Sequence, residues 1–144
     1  MQNYLLRIIF AGFLYLLLCT MGWAQEQNLP QDNPLSDIEA ESVVSTYLSA
    51  LHQGDTVTIK QTLGGDLLEA RGSLLDNPSY ANRLSKMYST ASSNIVRVSY
   101  IDAQHIAVDA TIELSPDEVL QCRFIVAQDG SEQLKIVEET HFDN

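Results

Sequence analysis

The chain has 144 residues, with 8 Lys and Arg against 19 Asp and Glu and a formal net charge of −11 at pH 7. So acidic a surface repels phosphate backbones and anionic headgroups, which excludes nucleic acid and anionic membrane surfaces as partners. Only two cysteines are present, Cys19 and Cys122, so a disulfide framework is excluded as well.

The first segment reads as an export signal. Arg7 precedes the apolar run IIFAGFLYLLLCTMGWA, which closes on Gly22-Trp23-Ala24, a small-x-small cut site. Cleavage is expected after Ala24, placing the mature protein in the periplasm or outside the cell. An uncleaved anchor is the alternative, but the run is short beside the roughly 20 apolar residues a span needs. A lipid on Cys19 is disfavoured because Leu18 is bulkier than the residue that normally precedes a lipidated cysteine. Processing removes residues 1–24 and with them Arg7, so the charge falls from −11 to −12. Cys122 is then the single thiol, expected to be buried like an apolar residue. Residues 25–35, with two prolines, read as a linker, and 36–144 as one domain that stands on its core alone.

Helices come first. Ser36 with Glu39 three residues on is a capping box, and Leu35 with Ala40 occupies the staple positions. Ala40, Val43, Val44, Tyr47, Leu48 and Leu51 recur at helical spacing, and Gly54 stops the run, which predicts a helix over about 37–52. Asp55 or Thr56 caps a second, short helix that ends at Gly64-Gly65. One further helical turn is expected within 66–73. Asn77-Pro78 then opens a helix through Ala81, Leu84, Met87, Tyr88 and Ala91, ending at Ser92-Ser93-Asn94.

From Ile95 the period changes to two, over 95–101, 104–114, 118–128 and 132–141. Short polar connections predict an antiparallel meander. The apolar positions are even-numbered throughout: Val96, Val98, Tyr100, Ile106, Val108, Ala110, Ile112, Leu114, Leu120, Cys122, Phe124, Val126, Leu134 and Ile136. Opposed residues share a face, so a common parity predicts the pairs Val98–Val108, Val108–Phe124 and Phe124–Ile136, and Asp109 opposite Arg123 on the other face. The odd face, with Arg97, His105, Asp109, Arg123, Lys135, Glu139 and His141, is expected to be solvated. Helices should therefore cover one side only.

The fold class is α+β, with N-terminal helices on one face of a four-stranded antiparallel meander curled into a cone. With Tyr47-Leu48-Ser49-Ala50-Leu51-His52-Gln53-Gly54-Asp55 running into a Gly-Asp corner, then short helices and hairpins, residues 36–141 resemble the nuclear-transport-factor-2-like superfamily of cystatin-like shape. The nearest relatives implied are its small exported members. The chain departs from the fuller form in showing no short strand between its second and third helices. The resemblance implies that any chemistry lies in the cone interior, where enzymes of the family place Asp, His or Tyr.

Few residues answer to that. By parity the interior is aliphatic but for Tyr100, with Glu138 and Thr140 at the rim; Tyr47, Tyr80 and Tyr88 can project inward from helices, where packing is the commoner role. Asp109 and His105 should face away. His52 and Asp55 sit where a helix end and a cap want them. No metal-ligand spacing, phosphate loop or nucleophile elbow is present. The reading is therefore of no assigned catalytic, cofactor-binding or metal residue, and no cofactor. An exported ligand-binding or accessory module, taking a small apolar ligand or a protein partner, is expected first. An isomerase- or dehydratase-type enzyme and an assembly domain are the alternatives. The charged odd face points to a monomer or weak dimer.

Overall fold

A computed structural model describes residues 35–142. The expected signal, its cut site and the linker up to residue 34 lie outside the described residues. Four helices, α1 (Asp37–Gln53), α2 (Thr56–Thr62), α3 (Gly65–Leu75) and α4 (Pro78–Tyr88), precede four strands, β1 (Ser92–Tyr100), β2 (His105–Ser115), β3 (Glu118–Gln128) and β4 (Leu134–Phe142). The strands form one antiparallel sheet in the order β1-β2-β3-β4. The fold is α+β, with α1 packed against β1, β2 and β4.

The helix ends follow their local chemistry. The Glu39 amide donates to the Ser36 hydroxyl at 3.3 Å, so α1 starts where its capping signal stands. Ala40, Val44, Tyr47, Leu48 and Leu51 form its buried stripe, each larger aliphatic contributing about 1.5–3 kcal/mol by leaving water. Gly54 ends it at φ 67°, and a Cβ there would lie 2.6 Å from the Ser85 Cβ on α4. Handedness and close approach both demand glycine. Asp55 caps α2 by accepting from the Thr58 amide, and Asn77 caps α4 by accepting from the Ser79 amide.

Two helix expectations are corrected. The single turn expected within 66–73 is α3, a helix of 11 residues. Its interior Gly72 costs about 1 kcal/mol of helix propensity, which weakens the local signal. Packing of Leu67, Leu68 and Leu75 into the core and contact with β4 carry the helix instead. Ser92, Ser93 and Asn94 do not end α4, which is capped at Ser89; they open β1 and pair with Glu113, Ile112 and Thr111.

The sheet register follows parity over most of its area. Val98 opposes Val108, Val108 opposes Phe124, and Asp109 opposes Arg123. Ile106, Val108, Ala110, Ile112, Cys122, Phe124, Val126 and Ile136 are all 2% exposed or less. Parity fails where strands bulge. In β1 the register shifts between Ile95 and Arg97; Ile95 packs against the core and Val96, expected inside, is 61% exposed. Tyr100 keeps its register against Ile106 but is 56% exposed, its hydroxyl donating to the Leu35 carbonyl.

The consequential bulge is in β4. Phe124 does not oppose Ile136. Val126 does, Ile125 opposes Glu138, and Val137 is the extra residue between them. Beyond it every face assignment is inverted. Glu138 and Thr140, expected at the inner rim, oppose the outward-facing Ile125 and Arg123. Glu139 and His141, expected outside, oppose Phe124 and Cys122 on the inner face. The bulge lies beside a contact from far off in sequence. Leu63 forms a one-residue parallel bridge with Ile136, and the Gly64 amide donates to the Ile136 carbonyl at 2.9 Å. A Cβ on Gly64 would lie 2.7 Å from the Lys135 Cβ, so glycine permits this approach. The α2–α3 junction thus engages β4 immediately before Val137. That bridge is also all the structure has of a strand between the second and third helices.

Candidate functional site

The inversion of β4 puts a carboxylate in the cone interior. Glu139 is 5% exposed at its side chain and stands opposite Phe124. Tyr47 comes down from α1 with its ring edge-on to Phe124, 5.6 Å between centroids, and its hydroxyl donates to Glu139 Oε2 at 2.9 Å. Arg71 reaches in from α3; its Nη1 donates to the same Oε2 and, at 3.2 Å, to the Tyr47 hydroxyl oxygen. His141, two residues along β4 on the same face, places Nε2 2.6 Å from Glu139 Oε1. A carboxylate only accepts, so the proton of that contact sits on Nε2. Both Glu139 oxygens are therefore occupied, as a buried carboxylate requires.

Three weak acids near Glu139 are held in their neutral forms. Burial first, and then the Glu139 charge, raise the Tyr47 phenol well above its ordinary value; the same two causes raise Tyr88. Burial and Glu139 push the Cys122 thiol up to about 11. Cys122 is 2% exposed, as its parity predicted. Arg71 thus keeps its charge beside Glu139, and Tyr47, Tyr88 and Cys122 keep their protons.

A cleft of about 480 Å³ opens onto this cluster. Tyr47, Arg71, Tyr88, Glu139 and His141 form one wall; Leu51, Ile59, Leu75, Leu84 and Met87 supply apolar surface; Tyr80 and Arg83 complete it from α4. A second hollow of about 490 Å³ lies on the outer face of the sheet, around Arg97, Asp109, Arg123 and Phe142. There Arg97 and Arg123 both donate to Asp109, at 2.7 Å each at closest, and hold its carboxyl below the usual range, chiefly through the Arg123 hydrogen bond. The interior cleft is the candidate site because it combines an apolar wall with convergent polar groups.

Of the residues singled out in the sequence, Tyr47, Tyr80 and Tyr88 do line the cleft. Tyr100, Glu138 and Thr140 do not. His105 pairs with Asp102 at the β1–β2 turn, and Asp109 stays on the outer face. Arg71 stands outside the sequence expectations, and Glu139 and His141, expected on the solvated face, lie on the inner one. Ile136-Val137 and Ile95-Val96 are adjacent apolar pairs at the two bulges, but so are Ile106-Ala107 and Ala107-Val108, where the register is regular, so the pair alone does not mark a bulge. Among the described residues no group of three or more His, Cys, Asp or Glu is arranged to hold a metal ion.

No family model matches the chain, and no curated protein matches it. Among solved structures it is similar to a protein of unknown function with a cystatin-like fold from Methylobium petroleophilum PM1. That alignment has a TM-score of 0.49 and 18% identity, covering 77% of this chain and 80% of that one. It is also similar to a ketosteroid isomerase-like protein from Erwinia carotovora atroseptica SCRI1043, with a TM-score of 0.47 and 13% identity over 74% of this chain and 96% of that one.

Proposed function

We propose that this is an exported binding module that takes a small, largely apolar molecule into the interior cleft, where the Tyr47–Arg71–Glu139–His141 cluster and Arg83 offer it polar contacts. The observation that carries this reading is the cleft itself: about 480 Å³, apolar on one side, with polar groups converging on the other. The volume falls in the range of small-molecule sites. Tyr88 lines it with a hydroxyl that makes no hydrogen bond among the described residues, a donor left for a ligand. Nile red, a neutral apolar dye, tests the idea. Saturable one-to-one binding is expected, and Leu84→Trp, which fills the cleft, should abolish it while leaving the circular dichroism unchanged. Dye binding that is absent, or indifferent to Leu84→Trp, contradicts the proposal.

One contact favours acid–base chemistry as a second reading. With Nε2–H given to Glu139, neutral His141 keeps Nδ1 as an acceptor on a side chain 41% exposed at the cleft. A general base needs that reach and that fixed tautomer. Glu139 itself, with both oxygens occupied, would orient the imidazole. On this reading His141→Gln still binds Nile red but no longer speeds deuterium exchange into a bound enolisable ketone. Exchange equal in both proteins removes it.

A further inference from the structure

The charges around the cleft specify more than an apolar occupant. Among the described residues there are seven Lys and Arg side chains. Lys60 pairs with Asp76, Arg71 with Glu139, and Arg97 and Arg123 share Asp109. Lys135 donates to the Gln61 carbonyl at 2.6 Å. Arg83 and Lys86 remain, three residues apart on α4, both exposed and neither in an ion pair. In a chain with 19 Asp and Glu, an unpaired arginine is not for want of available carboxylates.

Arg83 is also the one of the two that lines the cleft, and it is held in place there. Its guanidinium lies over the Tyr80 ring, 5.4 Å from the centroid. Stacking on a ring orients the planar donor fork without using its hydrogen bonds. Within the cleft, Arg71 pairs with Glu139, and Tyr47 and Tyr88 stay neutral. Arg83, exposed where it lines the cleft, then gives that cleft of a strongly acidic protein a surplus positive charge. Glu139 is already engaged by Tyr47 and Arg71 at Oε2 and by His141 at Oε1. Beside Arg83 the apolar surface reaches solvent: Leu74 is 46% exposed and Met87 50%.

We infer that the ligand of this cleft is an amphipathic monoanion, a carboxylate on an apolar body, with the head at Arg83 and the body along Leu74, Leu84 and Met87. The inference rests on the reading of the cleft as a ligand site and adds the sign of the ligand's charge. A carboxylate matches the guanidinium fork, and an exposed arginine contributes through a screened pair, not a buried one. A neutral head leaves Arg83 unmatched, and a cationic head meets repulsion.

Displacement of Nile red by decanoate, decanol and decyltrimethylammonium, each below its micelle concentration and at low salt, reads this out. Decanoate is expected to bind about fivefold tighter than decanol, the ratio an exposed pair of about 1 kcal/mol gives, with decyltrimethylammonium weakest. The preference should shrink at high salt. In Arg83→Gln, decanoate should fall to the level of decanol while decanol is unmoved. Equal or tighter binding of decanol, or a preference that survives Arg83→Gln, overturns the inference but leaves the cleft a ligand site. So does failure of all three to displace bound dye. If the dye itself does not bind, the underlying reading fails first.

Discussion

Two carboxylates on opposite faces of one sheet hold comparable partners and are put to different ends. Asp109, 18% exposed, lies between Arg97 and Arg123, whose side chains are 62% and 38% exposed. Glu139, 5% exposed, lies among Arg71, Tyr47 and His141. The outer cluster is closed on itself in a wet environment, where each ion pair contributes little. In the inner one the carboxylate itself is buried, so its removal is costly, and its donors border an open cleft. What separates a surface ion-pair ladder from a candidate binding site is a single extra residue, Val137, which decides the face on which Glu139 emerges.

That contrast can be broken by mutation, beginning with the largest effect. Glu139→Ala strands Arg71 and the Tyr47 hydroxyl; a loss of about 3 kcal/mol is expected in urea denaturation, at the low end for a broken buried pair because Arg71 is partly exposed. An equal loss from Asp109→Ala would remove the distinction. On the inner face, Cys122 should react with a disulfide reagent at pH 8 at least about a hundredfold slower than in urea, since its thiol is both buried and raised to about 11. Rapid native reaction would mean an open inner face.

The two clusters should also fail at opposite ends of the pH scale. Tyr47 has a folded pKa above its unfolded value, so its contribution is complete below the ordinary phenol pKa of about 10 and is lost as pH rises beyond it. Asp109 has a folded pKa below its unfolded value, so its contribution is present above about 3.9 and is lost as pH falls. Stability profiles should lose their alkaline limb in Tyr47→Phe and soften their acid limb in Asp109→Asn, each variant costing about 1 kcal/mol at neutral pH. Swapped limbs would contradict the assignment of faces. The smallest effect belongs to Glu138→Ala, within about 0.5 kcal/mol as for an ordinary exposed position.

Much of the fold was legible in the residues because its determinants are local. Ser36, Asp55 and Asn77 cap the helices they precede, Gly54 ends α1, and alternation fixes the β1–β2 and β2–β3 pairs around Val98, Val108, Phe124 and Asp109. α3 is not legible locally because a helix carrying Gly72 draws on tertiary packing, which no window of sequence contains. The candidate site was the least legible part. Tyr47 and Tyr88 fall on the inward face of their helices and were in view. Arg71 lies on α3 and shares that difficulty. Glu139 and His141 were hidden by a bulge beside a contact between Gly64 and Ile136, more than seventy positions apart. Parity propagates from the residues already placed, so one unseen insertion inverts every assignment after it.

The placement of Glu139 on the inner face is the claim on which the site, the proposed function and the charge of its ligand all depend. Cross-strand nuclear Overhauser effects between β3 and β4 test it most directly. The account predicts backbone contacts linking Phe124 to Glu139 and Cys122 to His141. Contacts linking Phe124 to Glu138 and Cys122 to Thr140 would contradict it, returning Glu139 to solvent and dissolving the interior cluster.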